Sequence, residues 1–111
     1  MSEVAYSYCV VREDLTWPQR VVQAGHAWWE AAQLHLSKVM PAPHFVLLGV
    51  ANEDALLDLR KKLKDHKIEY SAFYEEDYDL GYTAIATVPL VGDQRELFAG
   101  MNVLRLETSS G

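Results

Sequence analysis

Cysteine is almost missing from this sequence. Cys9 stands alone, so no disulfide can form within the chain, and the fold has to hold by packing. A chain without disulfides reads as one kept in a reducing compartment, and the cytosol is the expected location. No apolar run approaches the ~20 residues needed to cross a bilayer, so no membrane partner is expected. The opening residues Met1-Ser2-Glu3 are acidic, unlike the basic start of a secretory leader. Positive charge is also scarce: 10 Lys and Arg stand against 16 Asp and Glu, for a formal net charge of -6. Proteins that hold nucleic acid usually show a basic footprint. Here the basic residues cluster only at Arg60, Lys61, Lys62, Lys64 and Lys67. There is no phosphate-cradling glycine loop, no Ser-His-Asp arrangement, and no ligand spacing among His35, His44 and His66. No cofactor is expected.

What is present is a globular composition. Half of the 111 residues are hydrophobic and 23% are charged, which suits one domain spanning 1–111. A chain of this length buries roughly two thirds of its unfolded surface, enough for a core without staples.

Tyr6 to Val11 is rich in aromatic and β-branched residues and reads as a strand, closed by Arg12-Glu13-Asp14. Thr16 or Trp17 caps a helix with Pro18 in its first turn. Apolar positions from Val21 to Leu36 follow helical spacing, and Pro41 and Pro43 force an end near Ser37 to Met40. His44 to Val50 reads as a central strand. Asn52 caps a second helix whose first turn carries Glu53 and Asp54 and whose last turns carry Lys61, Lys62 and Lys64. Its buried stripe is Leu56, Leu57, Leu59 and Leu63. Ile68 to Tyr74 alternates as a third strand. An acidic loop, Glu75 to Gly81, leads to a fourth, Tyr82 to Val88, stopped by Pro89. Gln94 to Ala99 suits one or two helical turns, and Val103 to Leu106 reads as strand or coil. Helical crossovers make the first three strands parallel, and the short acidic link makes the fourth antiparallel. The expected fold class is α/β, with a mixed four-stranded sheet and helices on it.

Three stretches carry a family resemblance. Val10-Val11-Arg12-Glu13-Asp14-Leu15 resembles the end of the first strand in type 2 peptidyl-tRNA hydrolases. Gln23-Ala24-Gly25-His26-Ala27 resembles the glutamine-histidine motif on that family's first helix. Thr83-Ala84-Ile85-Ala86-Thr87-Val88-Pro89 resembles its last core strand, and Phe73-Tyr74-Glu75-Glu76-Asp77 before it is similar to a bacterial and phage-type branch. The pieces cover residues 6 to 106 in order. The resemblance implies helices on both faces of the sheet, and hydrolysis of the ester between a peptide and tRNA. It implies tRNA or peptidyl-tRNA as partner. By position, the family's helix lysine corresponds to Gln19 and its aspartate after the third strand to Glu75, and a nearby threonine has no counterpart.

The candidate site follows. Gln23, His26 and Glu30 lie three and four residues apart and share one helix face. Histidine is the side chain most readily tuned for proton transfer near neutral pH, although a hydrogen-bonded structural histidine is the plainer account. Glu75 follows a strand's carboxyl end, where open α/β sheets place ligands, and is the candidate general base. Crowded carboxylates can raise one another's pKa, which would suit that task, while a solvated acidic loop is the default. Glu75, Asp77 and Asp79 alternate like part of a calcium loop, but the twelve-residue pattern is absent and no metal is expected. The catalytic set expected is therefore Glu75, His26, Gln23 and Arg20. Arg12, Gln19, Asp77 and Thr83 are the expected substrate-binding residues, with Arg12 and Arg20 holding phosphate or oxyanion. The alternative expected is a binding or regulatory module of the same fold, catalytically inactive and acting as a homodimer. Trp28 and Trp29 point about 100° apart on a helix and cannot both enter one narrow core face; core and interface packing is the plainer account, and one left exposed would support a dimer contact or base stacking.

Overall fold

The structure is a computed structural model, and it describes residues 4–34 and 42–104. Alternation along the first strand explains the layers. In β1 (Tyr6–Arg12), Tyr8 and Val10 point to one face and Cys9 and Val11 to the other, and all four are buried. A strand buried on both faces needs a cover on each. Helix α1 (Trp17–Gln33) covers the Cys9–Val11 face. Helix α2 (Glu53–Asp65) covers the Tyr8–Val10 face.

The sheet has five strands rather than four, in the order β3 (Tyr70–Glu75), β4 (Gly81–Thr87), β1, β2 (His44–Val50) and β5 (Asn102–Val103). β1 and β2 run parallel, from Tyr6 opposite His44 to Arg12 opposite Val50. β4 lies antiparallel to both β1 and β3. The first three strands therefore share one direction, as their crossovers require, yet β3 sits beyond β4 and not beside β2. The added fifth strand pairs Val103 with Leu48 and Asn102 with Gly49. It is two residues long, too short for any periodicity to reveal. The rest of the Val103–Leu106 segment lies outside the described residues after Leu104.

Local chemistry sets the helix ends. The Thr16 hydroxyl accepts the backbone N–H of Gln19, and the Gln19 side chain accepts that of Thr16, a reciprocal capping box followed by Pro18. α1 ends at Gln33, and the expected end at Ser37 to Met40 lies outside the described residues. Asn52 caps α2 by accepting the N–H of Ala55.

The two faces differ in depth. Under α1 the core is made of small side chains: Ala24, Ala27 and Ala31 against Cys9, Val11, Ala84 and Ala86. Under α2 it is made of large ones, including Leu56, Leu59, Leu63, Ile85, Leu90 and Phe98. Small residues let α1 lie close to the sheet, so its flanks can reach the neighbouring strands. Most of the apolar burial sits on the α2 side. Leu56 is fully buried there, and Leu56→Ala is expected to cost about 2–5 kcal/mol in a urea melt, with the m-value unchanged.

Candidate functional site

The side chains that α1 aims at β3 form a ladder. Glu30, His26 and Gln23 are spaced along one helix flank, and Ser71, Phe73 and Glu75 alternate along one strand face. They meet in order. The Ser71 hydroxyl donates to Glu30 Oε1 at 2.8 Å. The His26 ring stacks on Phe73 with centroids 4.6 Å apart and planes 14° from parallel. The Gln23 Nε2 donates to Glu75 Oε2 at 3.0 Å.

Gln23 is only 4% exposed, so both ends of its amide need partners. Its Oε1 accepts the hydroxyl of buried Thr83 at 2.6 Å. That contact depends on a break in the ladder. The β3–β4 register passes from Phe73 opposite Ala84 to Tyr74 opposite Tyr82, which leaves Thr83 as an extra residue on β4. The bulge turns Thr83 toward α1 beside Ala84, where strict alternation would have turned it toward α2. Thr83, Gln23 and Glu75 thus form one chain of hydrogen bonds running from the core to solvent.

Glu75 sits at the outer end of this chain. Its Oε2 accepts from Gln23, and its Oε1 accepts the backbone N–H of Asp77 at 3.1 Å. The Gln23 bond, then that backbone bond, then attraction from His26 hold its carboxyl below the ordinary value of 4.5. This corrects the expectation that crowded carboxylates raise it: donated hydrogen bonds outweigh neighbouring charge on an open loop. Asp77 contributes its main chain here, at the start of a 3-10 turn (Asp77–Asp79). Among the described residues no group of three or more His, Cys, Asp or Glu is placed to hold a metal ion.

The two arginines lie elsewhere in their bonding. Arg12 pairs with Asp14 at 2.9 Å and donates to the carbonyls of Leu80 and Tyr82, tying the end of β1 to the start of β4. Its guanidinium, hydrogen-bonded to Asp14, holds that carboxyl below the usual range. Arg20 donates to the carbonyls of Leu15 and Glu13 and lies over the Trp17 ring. Both arginines serve main-chain carbonyls at the carboxyl end of β1, and Gln19 serves the helix cap. Arg12 and Arg20, expected to hold phosphate or oxyanion, and Gln19, expected at the substrate, are found in these structural bonds, which Arg20 makes through Nε and Nη2. Two residues outside the expected set also shape the site. Phe73 supports His26, and the Glu53 carboxylate accepts the N–H of Tyr82 at 2.7 Å, occupying the space a Cβ would need at Gly81. Phe73 and Ser71 could have been found by matching the alternation of β3 to the helix flank.

Cys9 is no nucleophile. It is fully buried, its thiol donates to the Ala24 carbonyl, and burial pushes its pKa up to about 12.

The sequence matches no family model and no curated protein. Among solved structures, the chain is similar to a protein of unknown function from Agrobacterium tumefaciens strain C58. The TM-score is 0.71 at 11% identity, covering 95% of this chain and 100% of that one. The likeness shows a shared fold. No helix among the described residues is long and apolar enough to cross a membrane.

The buried amide chain gives a direct test of the site's construction. Thr83→Val leaves the Gln23 oxygen without its donor, and is expected to lower stability by about 1–3 kcal/mol in a thermal or urea melt. Gln23→Leu in the same background is expected to recover part of the loss, because the orphaned amide is gone.

Proposed function

We propose that the chain is an ester hydrolase resembling the type 2 peptidyl-tRNA hydrolases, with Glu75 as the base that activates water. What carries the reading is the 3.0 Å contact between Gln23 and Glu75. These are two of the positions the family resemblance marks, 52 residues apart in sequence, and the fold brings them into one hydrogen-bonded unit with Thr83.

The chemistry follows from the bonding. Each Glu75 oxygen already accepts one hydrogen bond and keeps further acceptor capacity for a water. In the proposed step the carboxylate takes a proton from that water as it attacks the ester carbonyl. The proton then passes to the departing ribose oxygen of the tRNA. Gln23 and Thr83 hold the carboxylate in place as positioning residues. His26, flat on Phe73, borders Glu75 as the neighbouring polar group. A carboxylate stabilised this well is a weak base, so a slow reaction is expected.

A second reading has its own support. Arg12 is bonded to Asp14 and to two main-chain carbonyls, Arg20 is bonded to two more, and the loop after β3 is acidic, so the site offers little to a phosphate backbone. On that reading the same fold is a catalytically inactive binding or regulatory module working as a homodimer.

Release of peptide from a blocked aminoacyl-tRNA separates the two. The wild type is expected to release it, and Glu75→Gln to be at least about tenfold slower with an unchanged melting profile. No release at high protein concentration would favour the inactive module. The acidic limb of kcat/KM reports the base in the free protein. Because Gln23 and the Asp77 N–H favour the charged form of Glu75, that limb is expected below pH 4.5, with full activity above it. Gln23→Ala should move the limb upward, toward the ordinary glutamate value.

A further inference from the structure

Helix α1 is apolar on the side that faces away from the sheet as well as on the side that packs against it. Its inner face is Ala24, Ala27 and Ala31. Its outer face carries Val21 and Val22, 61% and 53% exposed, and Trp28 and Trp29, 38% and 64% exposed. Both tryptophans are thus exposed, where sequence reasoning allowed for one. An apolar helix face is ordinarily covered, yet this outer one is exposed among the described residues, while the inner face packs on the sheet and the polar flank meets β3.

Beside the outer face, among the described residues, lies a groove of about 520 Å³ between α1 and β2. Trp28 meets Phe45 edge to face across it at 5.9 Å, and Phe45 is half exposed. Gly25 opens onto it. A Cβ at Gly25 would meet nothing within 4 Å, so no contact among the described residues calls for a glycine there. Glycine in a helix interior costs roughly 1 kcal/mol relative to alanine. Something outside the chain that approaches the helix backbone closely would account for it.

We propose that this face is the interface of a twofold dimer, in which α1 crosses its mate antiparallel at Gly25. Three observations favour a second copy as the occupant. The first is shape. A twofold interface must carry both a knob and the notch that receives it on the same surface. Trp29 stands one turn after Gly25 and Val21 one turn before, so in a crossing centred on Gly25 each Trp29 lies opposite the mate's Val21, at the mouth of the groove. The second is charge. Each copy has a formal net charge of -6, and two copies repel unless they meet through a neutral surface. Val21, Val22, Gly25, Trp28, Trp29 and Phe45 provide one without a single ionisable group. The third is area. Trp28, Trp29 and Phe45 alone supply roughly 300 Å² per copy, over a third of the about 800 Å² per partner of an ordinary specific interface. The valines and a polar rim add to it. The groove lies on the flank of α1 opposite Gln23 and Glu75, with Val22 and Trp29 one turn from His26 at its edge, so the contact involves neither Gln23 nor Glu75 and holds whichever account of them is correct.

Sedimentation equilibrium tests it on the full chain. The wild type is expected at twice its 12.6 kDa mass. Trp29→Glu, with an unchanged far-ultraviolet spectrum, should raise the dimer dissociation constant at least tenfold. Should that variant fold poorly, oxidative cross-linking decides. Gly25→Cys sits at the proposed axis, native Cys9 is buried and unreactive, and Gly25→Cys should give a covalent dimer much faster than Asp58→Cys on α2. A wild type that stays monomeric at every concentration overturns the proposal. So does a dimer whose constant ignores Trp29→Glu, or a Gly25→Cys chain that cross-links no faster than Asp58→Cys. A monomer that brightens an apolar dye, with the effect lost in Gly25→Trp, overturns it in favour of a small apolar ligand in the groove.

Discussion

A buried amide cannot be left unpaired, and the Gln23 side chain imposes that condition on everything around it. At 4% exposure, losing a partner would expose it to the full desolvation penalty. Its oxygen requires a donor and its nitrogen an acceptor, in opposite directions. The β4 bulge turns Thr83 to meet the oxygen, and the end of β3 brings Glu75 to meet the nitrogen. Helix α1, inner strand β4 and edge strand β3 are thereby locked in one register. A polar group that a core would normally exclude becomes the link between that core and a solvent-facing carboxylate.

The same lock explains why the arginines act as scaffold. For Glu75 to lie beside Gln23, the turn from β3 to β4 has to be held open at a set angle, and its residues Tyr78, Asp79 and Gly81 take positive φ. Arg12 holds the far end of that turn through the carbonyls of Leu80 and Tyr82, while Glu53 holds the N–H of Tyr82 from the first turn of α2. Arg20 secures the loop entering α1 through the carbonyls of Glu13 and Leu15. Charged groups that bind main-chain dipoles this way strengthen a strained turn.

Helix α1 has three differently occupied sides. Small alanines press it against the sheet. Its polar flank of Gln23, His26 and Glu30 meets β3. Its remaining surface is valine, glycine and tryptophan. The close approach that alanines allow is what lets the polar flank reach β3, and among the described residues it leaves a groove over β2 on the other flank. The ladder and the groove are two consequences of one helix lying close to, and off centre on, a five-stranded sheet.

Much of this architecture was legible in the amino-acid order. The first strand, a cap at Thr16 or Trp17, the Asn52 cap and the stop before Pro89 follow from local periodicity and capping, which act over a few residues, and the parallel sense of the first three strands follows from their helical crossovers. The shared helix face of Gln23, His26 and Glu30 follows from 3.6 residues per turn. The order of strands, the two-residue β5 and the bulge at Thr83 do not, because each depends on pairing between segments far apart in the chain. Nor could residue type reveal which ends of Arg12 and Arg20 would find carbonyls, or that hydrogen bonds would lower the Glu75 pKa where like charges suggested the reverse. Sequence determined which side chains each segment would turn inward. Only the folded chain decided which polar groups would then satisfy one another, since hydrogen-bond partners are chosen by distance in space and not by spacing along the backbone.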